Sequence, residues 1–187
     1  MRNITASFFM SIDGVVEAPE GWQGPYFDEE MGAIIGESTA SSGGFLLGRR
    51  TYEQWAGFWP QQDPAHNPMA PLINQMPKYV VSNTLEDAAW QNSTLVSGEV
   101  MSEVAALKQQ NGGDLLVSGS ATLVRGLIRE GLLDELRILV HPVLVGQGAR
   151  LFEADTGPRP LELVDSKRLG SGVINVTYRL GAPDTTP

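Results

Sequence analysis

Two adjacent arginines, Arg49 and Arg50, follow the apolar run 45–47 and Gly48, and lead directly into Thr51. Guanidinium groups hold phosphate or carboxylate oxygens through paired N–H donors, so two of them at a strand end point to an anionic ligand. Thr51 and Gln54 have the spacing of a capping box, which predicts a helix starting at Thr51. A helix start adds unpaired backbone N–H groups and the positive end of the macrodipole, both favourable to an anion. A second such place is Gly119-Ser120-Ala121, a glycine turn after the run 115–117. It opens into a predicted helix over 120–130 that carries Thr122, Leu123, Val124, Leu127 and Ile128 and stops at Gly131. Ser82-Asn83-Thr84, after the run 78–82, offers a hydroxyl and an amide, although turn chemistry alone accounts for such residues. Two helix-terminal anion sites and a polar strand end suit a dinucleotide with several phosphates. Neither a GxGxxG nor a GxxxxGK[ST] pattern occurs.

The acids that could take part in proton transfer lie around the first loop. Asp13-Gly14 follows the run 4–10, and Asp28 heads a predicted helix over 28–38. The stretch from Asp13 to Trp22 reads either as a capping turn or as a mobile loop that closes over a flat ligand, with Trp22 or Phe27 lining it. Asp13, Asp28 or water would then supply any proton. His141 reads as structural, and 145–152 as a glycine-rich loop ahead of an apolar anchor.

The elements that must position these groups alternate. Strand-like runs recur at 4–10, 45–47, 78–82, 94–96, 115–117, 135–140, 161–165 and 173–180, with helices over 28–38, 99–110 and 120–130 between them. Several runs are wholly apolar, as in parallel strands covered on both faces, and the alternation predicts a mostly parallel α/β sheet. The connection DSKRLGSG between the last two runs predicts an antiparallel edge. Residues 60–71, rich in proline, read as a surface loop, and 182–187 as a flexible tail after one domain spanning 1–181.

Composition narrows the function. With 13 basic against 22 acidic residues the formal charge is −9, which argues against a nucleic-acid or anionic-membrane binder. The absence of cysteine removes disulfides and thiolate chemistry, and two histidines do not make an imidazole-based zinc site, so no metal is expected. No signal-peptide pattern or membrane span is visible, and a cytoplasmic location is expected.

The motifs SIDGVV, LLGRRTYEQW, KYVVSNTL, LLVSGSATLVRGLI and LLDELRILVHPVLVGQGARLF together resemble the dihydrofolate reductase-like superfamily. The resemblance covers roughly residues 2–180 and is nearest to the branch holding the reductase domain of bacterial riboflavin biosynthesis (the RibD C-terminal domain) and its stand-alone relatives. It implies a central sheet of about eight strands and NADPH as cofactor. It also implies that Gly48, Arg49, Arg50 and Thr51 contact the phosphates. By the same resemblance Ser82 and Asn83 lie on the 2′-phosphate side, and Gly119, Ser120 and Ala121, with Thr122 and Leu123, hold the pyrophosphate. Val16 would line the nicotinamide, and Asp13 would lie near the active site.

Some positions depart from dihydrofolate reductases proper. Gly119-Ser120 stands where those enzymes have two glycines, Trp22 and Asp28 are spaced one residue wider than their tryptophan and pterin-binding acid, and Val140 replaces a threonine. Folate itself is therefore not the implied substrate. The implied activity is NADPH-dependent reduction of a small planar heterocycle, pterin- or riboflavin-precursor-like, or of a related carbonyl or imine compound. The alternative is a non-catalytic nucleotide- or pterin-binding module on the same fold. Relatives of this kind pair as homodimers, which the resemblance implies here too.

Overall fold

The computed structural model describes residues 1–152 and 158–181. Along the chain come β1 (Ile4–Ser11), α1 (Glu29–Ala40), β2 (Gly44–Gly48), α2 (Arg49–Phe58), α3 (Ala70–Gln75), β3 (Lys78–Val81) and β4 (Ser93–Val96). They are followed by α4 (Val100–Gln109), β5 (Leu115–Ser118), α5 (Ala121–Arg129), β6 (Glu135–His141), β7 (Leu161–Arg168) and β8 (Ile174–Leu180). The strands form one eight-stranded sheet in the order β4-β3-β2-β5-β1-β6-β8-β7. The first six in that order run parallel, and β8 and β7 add the expected antiparallel edge. The tail 182–187 lies outside the described residues.

Strand alternation divides the core between two faces. Ile4, Ala6, Phe8, Leu46, Val117, Leu136 and Ile138 meet Val104 and Leu107 of α4 and Leu123, Val124 and Leu127 of α5. On the opposite face, Phe45, Leu47, Val80 and Leu116 lie under Tyr52 of α2 and Ile73 of α3. On that same face α1 covers only the far side, where Met31 joins Leu139, Leu169 and Val173. Two separate helical layers therefore share one face, and a gap between them leaves part of the sheet uncovered.

The stretch 60–71, expected as a surface loop, is bounded by short helical elements. Residues 59–61 form a 3-10 turn, and α3 begins inside the proline-rich stretch, with Pro71 in the first turn where its missing N–H costs nothing. One group fixes this corner. Lys78 is wholly buried, and its ammonium donates to the carbonyls of Asn74 (2.8 Å), Met76 (2.9 Å) and Gln91 (3.2 Å), 4.0 Å from the centre of the Trp90 ring. The Trp90 amide donates to the Tyr52 hydroxyl at 2.9 Å, and the Trp90 indole N–H donates to Asn74 Oδ1 at 2.9 Å. Through these bonds α2, α3 and β3 form one braced unit. Among the described residues no helix is long and apolar enough to cross a membrane.

Candidate active site

The carboxyl ends of β2 and β5 bring together the two helix starts expected from the sequence. Gly48, the N-cap of α2, donates its amide to Ser120 Oγ at 3.0 Å, and the hydroxyls of Thr51 and Ser120 lie 2.9 Å apart. Ser120 is itself left-handed, with φ 61°, directly after Gly119 at φ 79°. A non-glycine residue in that region costs roughly 1–2 kcal/mol, which the two side-chain bonds of Ser120 offset. The α2 helix thus starts three residues earlier than the capping-box spacing predicts. Thr51 does not cap it, because Gly48 holds the N-cap position and the threonine hydroxyl faces Ser120 instead.

The first-turn amides of α2 and α5 lack intrahelical acceptors and open onto one cleft. Gly48, Arg49, Arg50, Thr51, Gly119, Ser120, Ala121, Thr122 and Leu123 all line it. Arg49 pairs with Glu53 at 3.3 Å, whereas Arg50 has no carboxylate within 4.0 Å among the described residues. Ser82 and Asn83 do not line this cleft. The Ser82 hydroxyl accepts from the amides of Thr84 (3.1 Å) and Leu85 (3.0 Å). The Asn83 side chain exchanges two hydrogen bonds with the Gly98 backbone. Turn chemistry, the plainer reading of that strand end, is what these residues perform.

The two acids are also committed elsewhere. Asp13 accepts from the Ser11 hydroxyl (2.7 Å) and the amides of Val145 (3.1 Å) and Gly146 (2.9 Å), with Arg150 at 3.6 Å. The Ser11 hydroxyl and then the two amides hold its carboxyl down at about 2, so it carries no proton to donate near neutrality. Asp28 caps α1, accepting from the Met31 amide at 2.8 Å, and that amide keeps its carboxyl below the ordinary range. Neither acid lines the cleft.

Asp13 instead clamps the loop after β1 to the loop after β6. Further ties are a Val15–Arg150 bridge, the Val16 amide to Ala149 O at 3.0 Å, and the Ala149 amide to Glu17 Oε2 at 2.8 Å. The glycine-rich loop 145–152 is therefore a strap, anchored by the buried Leu151. Because the folded carboxyl titrates below its ordinary 3.8, its stabilising effect is complete above that value and lost as pH falls through about 2. Asp13→Asn should be less stable than the native protein at neutral pH and should lack the corresponding step in a plot of melting temperature against pH. Parallel acid limbs for the two proteins would contradict the clamp.

Trp22 also departs from its expected place. It packs edge-on against His141 at 5.2 Å, as Phe9 (5.7 Å) and Tyr26 (5.8 Å) do, and its indole donates to Glu17 O. Burial pushes the His141 imidazole below its ordinary range, so it stays neutral and structural. The segment after β1 is thus tied at both ends. Val16 and Phe27 do line the cleft.

The cleft, of about 1210 Å³, continues from the joined helix starts across the uncovered sheet between α1 and α2. Phe9, Phe45, Leu116 and Leu139 form an apolar floor, with Ile34 and Ile35 on one wall and Trp55 and Trp59 on the other. Arg137 and Ser38 lie in it too. Sequence reading missed both, although the alternation in ELRILVH places Arg137 on the same face as Leu139.

A family model of the RibD C-terminal domain matches residues 2–175. The chain belongs to the RibD C-terminal domain family. Among relatives of this RibD-type domain is the uncharacterized protein YyaP of Bacillus subtilis, 29% identical over 182 residues, which cover 95% of this chain and 94% of that one. A putative riboflavin biosynthesis protein from Shewanella superposes with TM-score 0.72 at 19% identity, covering 96% of this chain and 99% of that one. Dihydrofolate reductase from Enterococcus faecalis, solved with NADP(H), superposes with TM-score 0.63 at 15% identity, covering 96% of each. The dihydrofolate reductase-like fold expected from the sequence is thus the one observed.

Proposed function

We propose that this RibD-type domain is an NADPH-dependent reductase that delivers hydride to a small planar heterocycle, pterin- or riboflavin-precursor-like, or to a related carbonyl or imine compound. The observation that carries this reading is the joined pair of helix starts. Gly48, Thr51 and Ser120 lock them together beside Arg49 and Arg50, at one end of a cleft whose remainder is apolar. That donor set fits NADPH: two guanidinium groups, two sets of first-turn amides and the hydroxyls of Thr51 and Thr122 suit its phosphates. When bound, NADPH supplies the hydride. The protein's own residues orient and enclose. The helix starts would hold phosphate, Val16, which lines the cleft, would lie beside the nicotinamide, and the aromatic and aliphatic walls would exclude water.

A proton must accompany the hydride. Glu17 and Glu20 are the carboxylates that line the cleft among the described residues, so one of them or solvent takes the place expected for Asp13 or Asp28. That displacement is also what favours the second reading, a binding module without turnover. Following NADPH oxidation with a panel of pterins, flavin precursors and quinones separates them. Acceptor-dependent oxidation supports the reductase, and tight NADPH binding without it supports the module.

Arg49→Ala and Arg50→Ala address the cofactor directly. A charge-assisted phosphate contact is worth about 1.5–3 kcal/mol, so NADPH affinity should fall roughly tenfold or more in Arg50→Ala, and NADH affinity less. Arg49→Ala should show the smaller loss, since Glu53 already shares its charge. Unchanged affinity in both variants would remove the assignment.

A homodimer through the sheet edge is part of the same proposal. Every residue of β7 is exposed, and Leu161, Leu163 and Val164 stand in water beside Ile174 of β8. An open edge strand with apolar side chains calls for a cover, and a second copy supplies one. Sedimentation should give a dimer that Leu163→Glu converts to monomer, whereas a native monomer at high concentration would refute it.

A further inference from the structure

The apolar half of the cleft is uneven. Under α2 and α3, Phe45 of β2 and Leu116 of β5 form the floor, and Trp55, Trp59, Met69 and Ile73 form the walls. The floor and Ile73 are buried, whereas Trp55, Trp59 and Met69 are only half-buried and line the opening. The rings stand edge to face in one file, Phe45 to Trp55 at 5.2 Å and Trp55 to Trp59 at 5.9 Å. Met69 closes the end toward α1, its sulfur 3.9 Å from where a β-carbon on Gly36 would stand. The charged side chains of the cleft belong to other elements: the first turn of α2, the loop after β1, α5 and β6. Arg137 of β6 stands three strands from β2, roughly 14 Å at the usual spacing, and donates to Ser38 Oγ at 2.7 Å.

Trp59 adds a polar signal to this apolar pocket. Its indole N–H is enclosed by protein and has no acceptor among the described residues. Trp22 and Trp90 show the ordinary arrangement, donating to Glu17 O at 3.1 Å and to Asn74 Oδ1 at 2.9 Å. An enclosed donor without an acceptor is costly, and a ligand oxygen set against that ring restores the missing bond. The half-buried walls gain in the same way, since a hydrocarbon arm laid over them releases the water they hold. A charged arm would lose its hydration there with no ion to meet.

We infer that the acceptor is an uncharged quinone-type carbonyl compound that carries an apolar arm. The arm fills the pocket under α2 and α3, and one ring oxygen takes the Trp59 N–H. A para-quinone has oxygens on opposite edges of one flat ring, so the other carbonyl is left to face the hydride end of the cleft. This rests on reading the cleft as the place of hydride transfer. The step balances: NADPH gives two electrons with its hydride, solvent gives one proton, and the quinone leaves as hydroquinone beside NADP+.

Naphthoquinones carrying a methyl, propyl or pentyl group test this by calorimetry, with NADP+ saturating so that no turnover occurs. A chain without cysteine offers these quinones no thiol to attack. Affinity should climb about two- to fourfold per added methylene. A matched probe whose arm ends in a carboxylate should bind roughly tenfold or more weakly than the pentyl one. Met69→Asn should flatten the climb, and Trp59→Phe should weaken every quinone about fivefold without changing it. 2-Methylnaphthalene, which lacks the oxygens, should bind the native protein and Trp59→Phe alike. With NADPH in place of NADP+, kcat/KM for its oxidation should rise in the same order. Native affinities that ignore chain length would overturn the inference, as would a carboxylate probe that matches the pentyl one. Tight binding without oxidation would overturn the assignment as acceptor. NADPH is titrated first and alone, and its affinity in each variant reports an intact fold. If the native protein does not bind it, the cofactor reading falls, and the chain-length series repeated without nucleotide still decides what the pocket holds.

Discussion

Gly48→Ala should weaken NADPH binding roughly tenfold or more and lower the melting temperature by about 5–10 °C. A β-carbon at position 48 would lie inside the contact distance of Ser120 Oγ and 3.0 Å from Ser120 Cβ. The Ser120 side chain has one rotatable bond on a left-handed backbone, so it has little room to withdraw. Either it swings away and abandons both Gly48 and Thr51, or the β2–α2 turn shifts and carries Arg49 and Arg50 with it. The first loses two hydrogen bonds at about 1 kcal/mol each, and the second adds overpacking strain of roughly 1–3 kcal/mol. Ser120→Gly removes the obstructing atoms and suits the backbone conformation, so the double variant should recover much of the melting temperature lost by Gly48→Ala. Thermal melts and NADPH titrations of the three variants check this. A Gly48→Ala protein that melts and binds like the native one would show that the two helix starts are not locked together.

Lys78→Met should cost about 2–4 kcal/mol, with the α2–α3 side of the cleft losing order first. The substitution keeps most of the volume but leaves the carbonyls of Met76, Asn74 and Gln91 without their shared donor. Each such loss is worth about 1–3 kcal/mol, partly offset because a cation need no longer be buried. Burial lowers the Lys78 ammonium to about 8, so much of it still carries its proton at neutral pH. Denaturant unfolding measures the loss, and amide exchange should show new opening at Tyr52 and Trp90. A loss well under 1 kcal/mol would mean that the carbonyl cage is bracing nothing.

The fold was legible because it is written in local patterns. The apolar runs at 45–47 and 115–117 announce central parallel strands, and DSKRLGSG announces the antiparallel edge. The paired helix starts were legible for the same reason, since a helix start after a strand is a feature of neighbouring residues. What sequence could not supply was the partner of each side chain. Asp13 looks like a free acid until residues 145–150 fold back onto it, more than 130 positions later. Trp22 looks like a ligand-facing ring until His141 claims it. Ser82 and Asn83 have the right chemistry for a ligand and spend it on Thr84, Leu85 and Gly98. Arg137 was overlooked because a single arginine in a strand reads as a solvated face, and only the gap between α1 and α2 turns it inward.

The strap around Asp13 sets when the rim of the site loses its freedom. Carboxylate, amides and a backbone bridge fix residues 11–17 against 143–150 through contacts made within the chain itself. The entropy of ordering those residues is therefore lost once, during folding, and not again at each encounter with a ligand. A molecule entering the cleft meets a mouth already shaped.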